Sequence, residues 1–171
     1  MINSNASKMN FMKTAIALSV SALILTACGK GGDKAAAVPT DGIEVKIGHV
    51  APLTGPIAHL GKDNENGARL ALEEINKAGL TIDGKKVVLT LVPEDDAEDP
   101  KTATQVAQKL VDAKVVGVVG HLNSGTSIPA SKIYSDAGIT QISPSSTNPD
   151  YTKQGFKTTY RLVATDAQQG P

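Results

Sequence analysis

The chain has 171 residues, with 17 basic and 17 acidic side chains, a formal net charge of zero, 3% aromatic residues and no tryptophan. No basic face is available to neutralise a phosphate backbone and rings for base stacking are scarce, which argues against nucleic acid as a partner. The length suits one ordinary domain with a real core behind a short leader.

The leader comes first. Lys8 and Lys13 precede the apolar run Ala15-Ile16-Ala17-Leu18-Ser19-Val20-Ser21-Ala22-Leu23-Ile24-Leu25. That run is too short for a bilayer span, which takes about 20 residues, and suits the core of a secretory signal. Leu25-Thr26-Ala27-Cys28 follows directly and resembles a bacterial lipobox. Residues 1–27 are therefore expected to be a signal peptide, with Cys28 lipidated as the mature N-terminus. Lipidation would also explain an exported chain whose only cysteine has no partner for a disulfide. The alternative is a plain secretory leader with a chance cysteine. Residues 28–42, small and polar without periodicity, read as a flexible tether.

From residue 43 the chain alternates strands and helices. Glu44-Val45-Lys46-Ile47-Gly48-His49-Val50 reads as the first strand and Ala51-Pro52-Leu53-Thr54-Gly55-Pro56 as a loop. Ala68, Ala71, Leu72 and Ile75 predict an amphipathic helix that Gly79 stops. Ile82-Asp83-Gly84-Lys85 turns into a strand over 87–92. Asp99 and Pro100 open a second helix as N-cap and first-turn residue, with Ala103, Val106, Ala107, Leu110 and Val111 as its stripe. The unbroken run Val115-Val116-Gly117-Val118-Val119 predicts a strand buried on both faces. A helix carrying Ile128, Ala130, Ile133, Tyr134 and Ala137 follows, then strands at 140–143 and 159–163. This pattern predicts an α/β fold, a parallel sheet flanked by helices on both faces.

Two strand-to-loop junctions concentrate the polar chemistry. The strand at 115–119 runs into Gly120-His121-Leu122-Asn123-Ser124-Gly125-Thr126-Ser127, and the strand at 140–143 into Pro144-Ser145-Ser146-Thr147-Asn148. The first junction opens a helix, whose unpaired N–H groups and partial positive charge favour a carboxylate or phosphate. Hydroxyl-rich junctions at the carboxyl ends of parallel strands form a crevice for a small anionic or zwitterionic ligand.

Other chemistries are poorly served. None of His49, His59 and His121 pairs with another at metal-ligand spacing and Cys28 is the only thiol, so no metal and no cofactor is expected. The acidic run Glu94-Asp95-Asp96-Ala97-Glu98-Asp99 lacks the glycine-centred spacing of a calcium loop. It reads as a solvated strand end with acids at a helix N-terminus. Gly55 to Gly61-Lys62-Asp63 fails as a phosphate loop, one residue too long and with Asp63 where a hydroxyl is needed. Ser124 has neither a glycine two residues before it nor an identifiable base, so an anion-holding role suits it better than nucleophilic attack.

The residues of these segments carry a family resemblance. Thr54-Gly55-Pro56, Ile75-Asn76-Lys77-Ala78-Gly79, Asp95-Asp96-Ala97-Glu98-Asp99-Pro100, Gly120-His121-Leu122, Ile128-Pro129-Ala130-Ser131 and Arg161 with Gln169-Gly170-Pro171 are their pieces. From residue 43 onward the chain resembles the periplasmic branched-chain amino acid binding proteins of ABC transporters. That resemblance implies lobe one of a type I periplasmic binding protein-like fold, residues 43–171, reaching to near the interlobe hinge. It implies a small amino acid ligand, a membrane permease as partner and no enzymatic activity. It places the ligand's α-carboxylate on Ser124, its charged groups near Thr147, and its α-ammonium on the Ser145 carbonyl. Leu122, Asn123 and Leu60 complete the implied contacts, and an acid from a second lobe would meet the ammonium.

Two departures stand out. Some relatives join the positions of Glu98 and Asn123 by a disulfide, which this chain cannot form. In those relatives a tyrosine lines the side-chain pocket where this chain has Leu60. The rival readings are a ligand-sensing receptor domain of the same fold, for amides, urea or other small solutes, and an α/β enzyme using the same crevice.

Overall fold

The computed structural model describes residues 42–170. The expected signal peptide, Cys28 and all but the last residue of the tether lie outside the described residues. In chain order the elements are β1 (Ile43–Ala51), α1 (Ala58–Ala78), β2 (Thr81–Ile82), β3 (Lys85–Asp95) and α2 (Pro100–Asp112). Then come β4 (Gly117–Gly120), α3 (Ser124–Asp136), β5 (Thr140–Ser143), α4 (Asp150–Lys153), β6 (Thr159–Arg161) and α5 (Asp166–Gln169).

The six strands form one sheet in the order β2-β3-β1-β4-β5-β6. Five of them run parallel, and only the two-residue β2 is antiparallel, folded onto β3 through Asp83-Gly84. The parallel α/β fold expected from the alternation is what forms.

Neighbouring residues of β1 show how the layers are made. A Cβ on Gly48 would stand 2.9 Å from Leu110 Cδ1 of α2, so α2 sits close against this side of the sheet. With α3, it covers the main core of Val50, Val106, Ala107, Leu110, Val115, Val118, Ala130, Tyr134 and Ile139. His49, on the opposite face by strand alternation, faces Gly61 and Glu65 of α1. One helix thus covers one face and two cover the other.

The helix ends follow local chemistry. Asp99 caps α2, its carboxylate accepting from the Thr102 N–H at 2.6 Å with Pro100 in the first turn. Gly79 ends α1 in the left-handed conformation (φ 80°), its N–H returning to Asn76 and Ile75.

Three expectations change. The buried line of α1 is Gly61, Glu65, Ala68 and Leu72, whereas Ala71 and Ile75 are exposed. Glu65 can sit inside because Lys62 (2.9 Å) and Arg69 (2.6 Å) pair with it. Burial alone would raise its pKa, and these two partners outweigh that and hold it below the usual carboxylate range. The strand expected at 115–119 is not buried on both faces. Val118 is buried, Val119 half-buried and Val116 60% exposed, because α1 packs on β1 and β3 rather than over β4. The acidic run is not a solvated strand end either: Asp96 is fully buried.

Candidate functional site

β4 and β5 are adjacent and parallel, so both hydroxyl-rich junctions open at the same end of the sheet, side by side. Gly120 makes the first turn possible. Its φ is +137° and a Cβ there would lie 2.3 Å from the Val50 carbonyl oxygen. An L side chain has no room in that conformation.

The two junctions are cross-linked by their own hydroxyls. Ser124, first residue of α3, accepts from the main-chain N–H of Thr147 and of Asn148, both at 3.1 Å. Ser145 Oγ donates to the Leu122 carbonyl at 3.0 Å. Ser143 Oγ donates to the His121 carbonyl at 2.7 Å and accepts from the Ser146 N–H at 2.9 Å. Ser127 and Ser146 hydroxyls lie 2.6 Å apart in the same buried knot.

The polarity of what is left open follows. Ser124 has taken two N–H groups on its oxygen and donates to no acceptor among the described residues, so its hydrogen is available to an outside acceptor. The Thr147 hydroxyl forms no hydrogen bond among the described residues. The Ser145 carbonyl accepts from no main-chain group in the loops. Donors for an anion and an acceptor for a cation therefore stand within one short stretch of surface, half-buried rather than sealed.

Neighbouring loops are tied to this knot. Asp95 accepts from Leu53 N–H (2.8 Å), Thr54 Oγ1 (2.6 Å) and Ala97 N–H (2.8 Å), joining the loop after β1 to the loop after β3. Burial opposes its ionisation, but these donors prevail and its pKa falls below the ordinary aspartate value. Asp96 Oδ2 lies 2.8 Å from His121 Nδ1, with both side chains fully buried. His121 Nε2 faces the Tyr134 hydroxyl at 3.2 Å. Burial pushes the His121 pKa below its usual value, and Asp96 only partly offsets this.

Of the residues singled out from the sequence, Ser124, Ser145, Thr147, Leu122 and Asn123 come together at this junction. Leu60 lies in the first turn of α1, 44% exposed, its carbonyl accepting from Asn64 of the same helix. Asn123 donates to Glu98 Oε1 at 3.4 Å, a long bond. Sequence reasoning missed the buried Asp96–His121–Tyr134 chain and the part played by Ser127 and Ser143. The Gly-His-Leu motif was the available signal for His121. Nothing in the spacing of Asp96, 25 residues earlier, announced its partner.

Residues 44–171 match the family described as periplasmic binding protein. The chain is 45% identical over 127 residues to the Leu/Ile/Val-binding protein homolog 1 of Brucella abortus, covering 74% of this chain and 33% of that protein. It is 44% identical to the leucine-, isoleucine-, valine-, threonine-, and alanine-binding protein of Pseudomonas aeruginosa, with the same coverage. Among solved structures it is similar to the branched-chain amino acid transporter substrate binding protein of Streptococcus pneumoniae in complex with isoleucine. That likeness has a TM-score of 0.66 and 35% identity over 72% of this chain and 35% of the other. The chain thus spans about a third of the length of the curated relatives it matches.

Proposed function

The chain belongs to the periplasmic binding protein family, and on that premise we propose that it is lobe one of an extracytoplasmic solute-binding protein. Its ligand is an amino acid, branched-chain by analogy with the relatives' names and the isoleucine complex, which an ABC transporter permease receives. The lobe binds and releases; it does not catalyse. The lipidated Cys28 holds the carrier at the membrane surface outside the cytoplasm.

The observation that carries this reading is the state of Ser124. With both lone-pair directions occupied by the Thr147 and Asn148 N–H groups, its hydroxyl can act only as a donor. It stands at the N-terminus of a 13-residue helix, where a carboxylate is favoured. The open Ser145 carbonyl gives the ammonium of the same zwitterion an acceptor nearby. Charge-assisted bonds of this type contribute about 1.5–3 kcal/mol each. Against an enzyme, the histidine closest in sequence to Ser124 has both ring nitrogens engaged with Asp96 and Tyr134. It is fully buried and cannot serve Ser124 as a base.

A second lobe closing over this face would trap the ligand by hinge motion, as in other two-lobed carriers. Calorimetric titration of the full-length protein with leucine, isoleucine and valine tests the proposal. One-to-one saturable binding of at least one of them is expected. A folded protein that binds none of the three rules out the branched-chain reading.

A further inference from the structure

The fully buried His121 does more than fill space at the end of β4. Its ring lies between Asp96 and Tyr134, and its main chain lies among serine hydroxyls. The His121 carbonyl accepts from Ser143 Oγ at 2.7 Å and Ser127 Oγ at 3.1 Å. The next carbonyl, Leu122, accepts from Ser145 Oγ at 3.0 Å and lies 3.3 Å from Ser146 Oγ. Four hydroxyls thus take their direction from two consecutive carbonyls.

Proton accounting fixes the state of the ring. Asp96, as a carboxylate, only accepts, so the nitrogen 2.8 Å from it must carry hydrogen. If Nε2 also carried one, it would donate to the Tyr134 oxygen. The Tyr134 hydrogen would then need another acceptor, and this fully buried hydroxyl has none among the described residues besides His121. Only the neutral ring with hydrogen on Nδ1 satisfies every group: Tyr134 O–H donates to Nε2, and Nδ1–H donates to Asp96. Burial favours that neutral state. The other charged or titratable groups nearby are His49 of β1, which feels His121, and Tyr151 of α4 and Glu94 of β3, which feel Tyr134.

We infer that His121 is a positioning residue of the ligand crevice, locked as the Nδ1–H tautomer between Asp96 and Tyr134 so that its own and the Leu122 carbonyl orient the serines. The consequence runs outward. Ser143, aligned by the His121 carbonyl, accepts the Ser146 N–H; the loop so shaped presents the Thr147 and Asn148 N–H groups to Ser124. The part concerning ligand rests on the function proposed above.

The test uses the full-length protein. A long-range proton–nitrogen spectrum at pH 7 should show His121 protonated on Nδ1 and bare on Nε2. Tyr134→Phe should weaken leucine binding roughly 3- to 10-fold and speed amide exchange at Ser146 and Thr147. Tyr160→Phe, which removes an exposed hydroxyl bonded to the Lys157 carbonyl and remote from the serine knot, should do neither. His121→Asn, which keeps a donor for Asp96, should cost more than Tyr134→Phe, and adding Tyr134→Phe to it should cost nothing further. Hydrogen on Nε2, additive losses, or equal effects from Tyr134→Phe and Tyr160→Phe overturn the inference. If the wild-type protein binds none of leucine, isoleucine and valine, the proposed function falls; the spectrum and the ligand-free exchange rates still decide whether His121 positions the loop.

Discussion

Asp96 and His121 meet at 2.8 Å with both side chains fully buried, and this pair joins the loop after β3 to the loop after β4. Two residues further along each loop, half-buried Asn123 reaches the exposed Glu98 at 3.4 Å. Hydrogen bonds of that length are weak, so the buried pair is the firmer tie between the two loops. The loop it anchors is conformationally costly. Ala97 and Glu98 both have positive φ, 48° and 59°, and are held there as Asp95 and Asp96 accept their N–H groups.

Asp96→Ala should therefore destabilise the protein by about 1–3 kcal/mol, the range for leaving a buried donor, here the Nδ1–H of neutral His121, without its acceptor. Glu98→Ala should cost under about 1 kcal/mol, as exposed contacts do. Urea unfolding of the two variants checks the contrast. Equal losses would show that the exposed contact carries the loop.

Stability should fall on mild acidification. His49 and His121 have pKa values lowered mainly by burial from the ordinary 6.5. Below 6.5 the unfolded chain takes up protons that the folded chain refuses, so stability is complete above that pH and declines as the pH falls toward the lower folded values. Each group adds up to about 1.4 kcal/mol per pH unit in that window. Unfolding free energies at pH 7.5, 6.5 and 5.5 measure it, and the slope should shrink in a His49→Gln variant. The carboxylates Asp95 and Glu65, depressed on balance by their donors, add a second loss only as the pH falls through their folded values, below the ordinary 3.8 and 4.5.

Thr147→Ala should weaken amino acid binding by about 1–3 kcal/mol, roughly 5- to 150-fold, with little effect on folding. Ser124→Ala should weaken binding similarly and also lower stability, because it strands the Thr147 and Asn148 N–H groups. Calorimetry and unfolding curves on the same samples separate the two effects. Unchanged binding in the double variant would mean the crevice is elsewhere.

Gly120→Ala should be among the most damaging substitutions of a small residue, because φ at this position is +137° and the new Cβ would meet the Val50 carbonyl at 2.3 Å. A loss of about 2 kcal/mol or more is expected. Circular dichroism melts would show it, and a melt like wild type would mean the turn can relax.

Processing should remove residues 1–27 and leave diacylglycerol on Cys28, since Leu25-Thr26-Ala27 directly follows the apolar run. Mass spectrometry of the mature N-terminus reads this. An unmodified end cut within the tether would refute the lipid anchor.

Periodicity, caps and composition were enough to determine the parallel α/β fold and the end of the sheet where the hydroxyl-rich junctions meet. Asp99, Pro100 and Gly79 act through bonds to residues within four positions, and such local chemistry is written in adjacent letters. The hydroxyls of Ser124, Ser145 and Thr147 were visible for the same reason, as they end strands whose pairing the alternation implies. What each hydroxyl does was not visible. Whether Ser124 donates or accepts depends on N–H groups 23 and 24 residues away, and only strand order brings them within reach. The acidic run reads as solvated because charge normally seeks water. Asp96 is buried because β3 and β4 both flank β1 and His121 arrives from the second to satisfy it. Burial of α1 was misread for a related reason: the helix meets the sheet on its glycine and glutamate side, since Lys62 and Arg69 neutralise Glu65 and leave Ile75 outside. Short-range geometry fixes the elements, whereas the partners of a buried polar group are fixed by which chain segments the sheet makes neighbours.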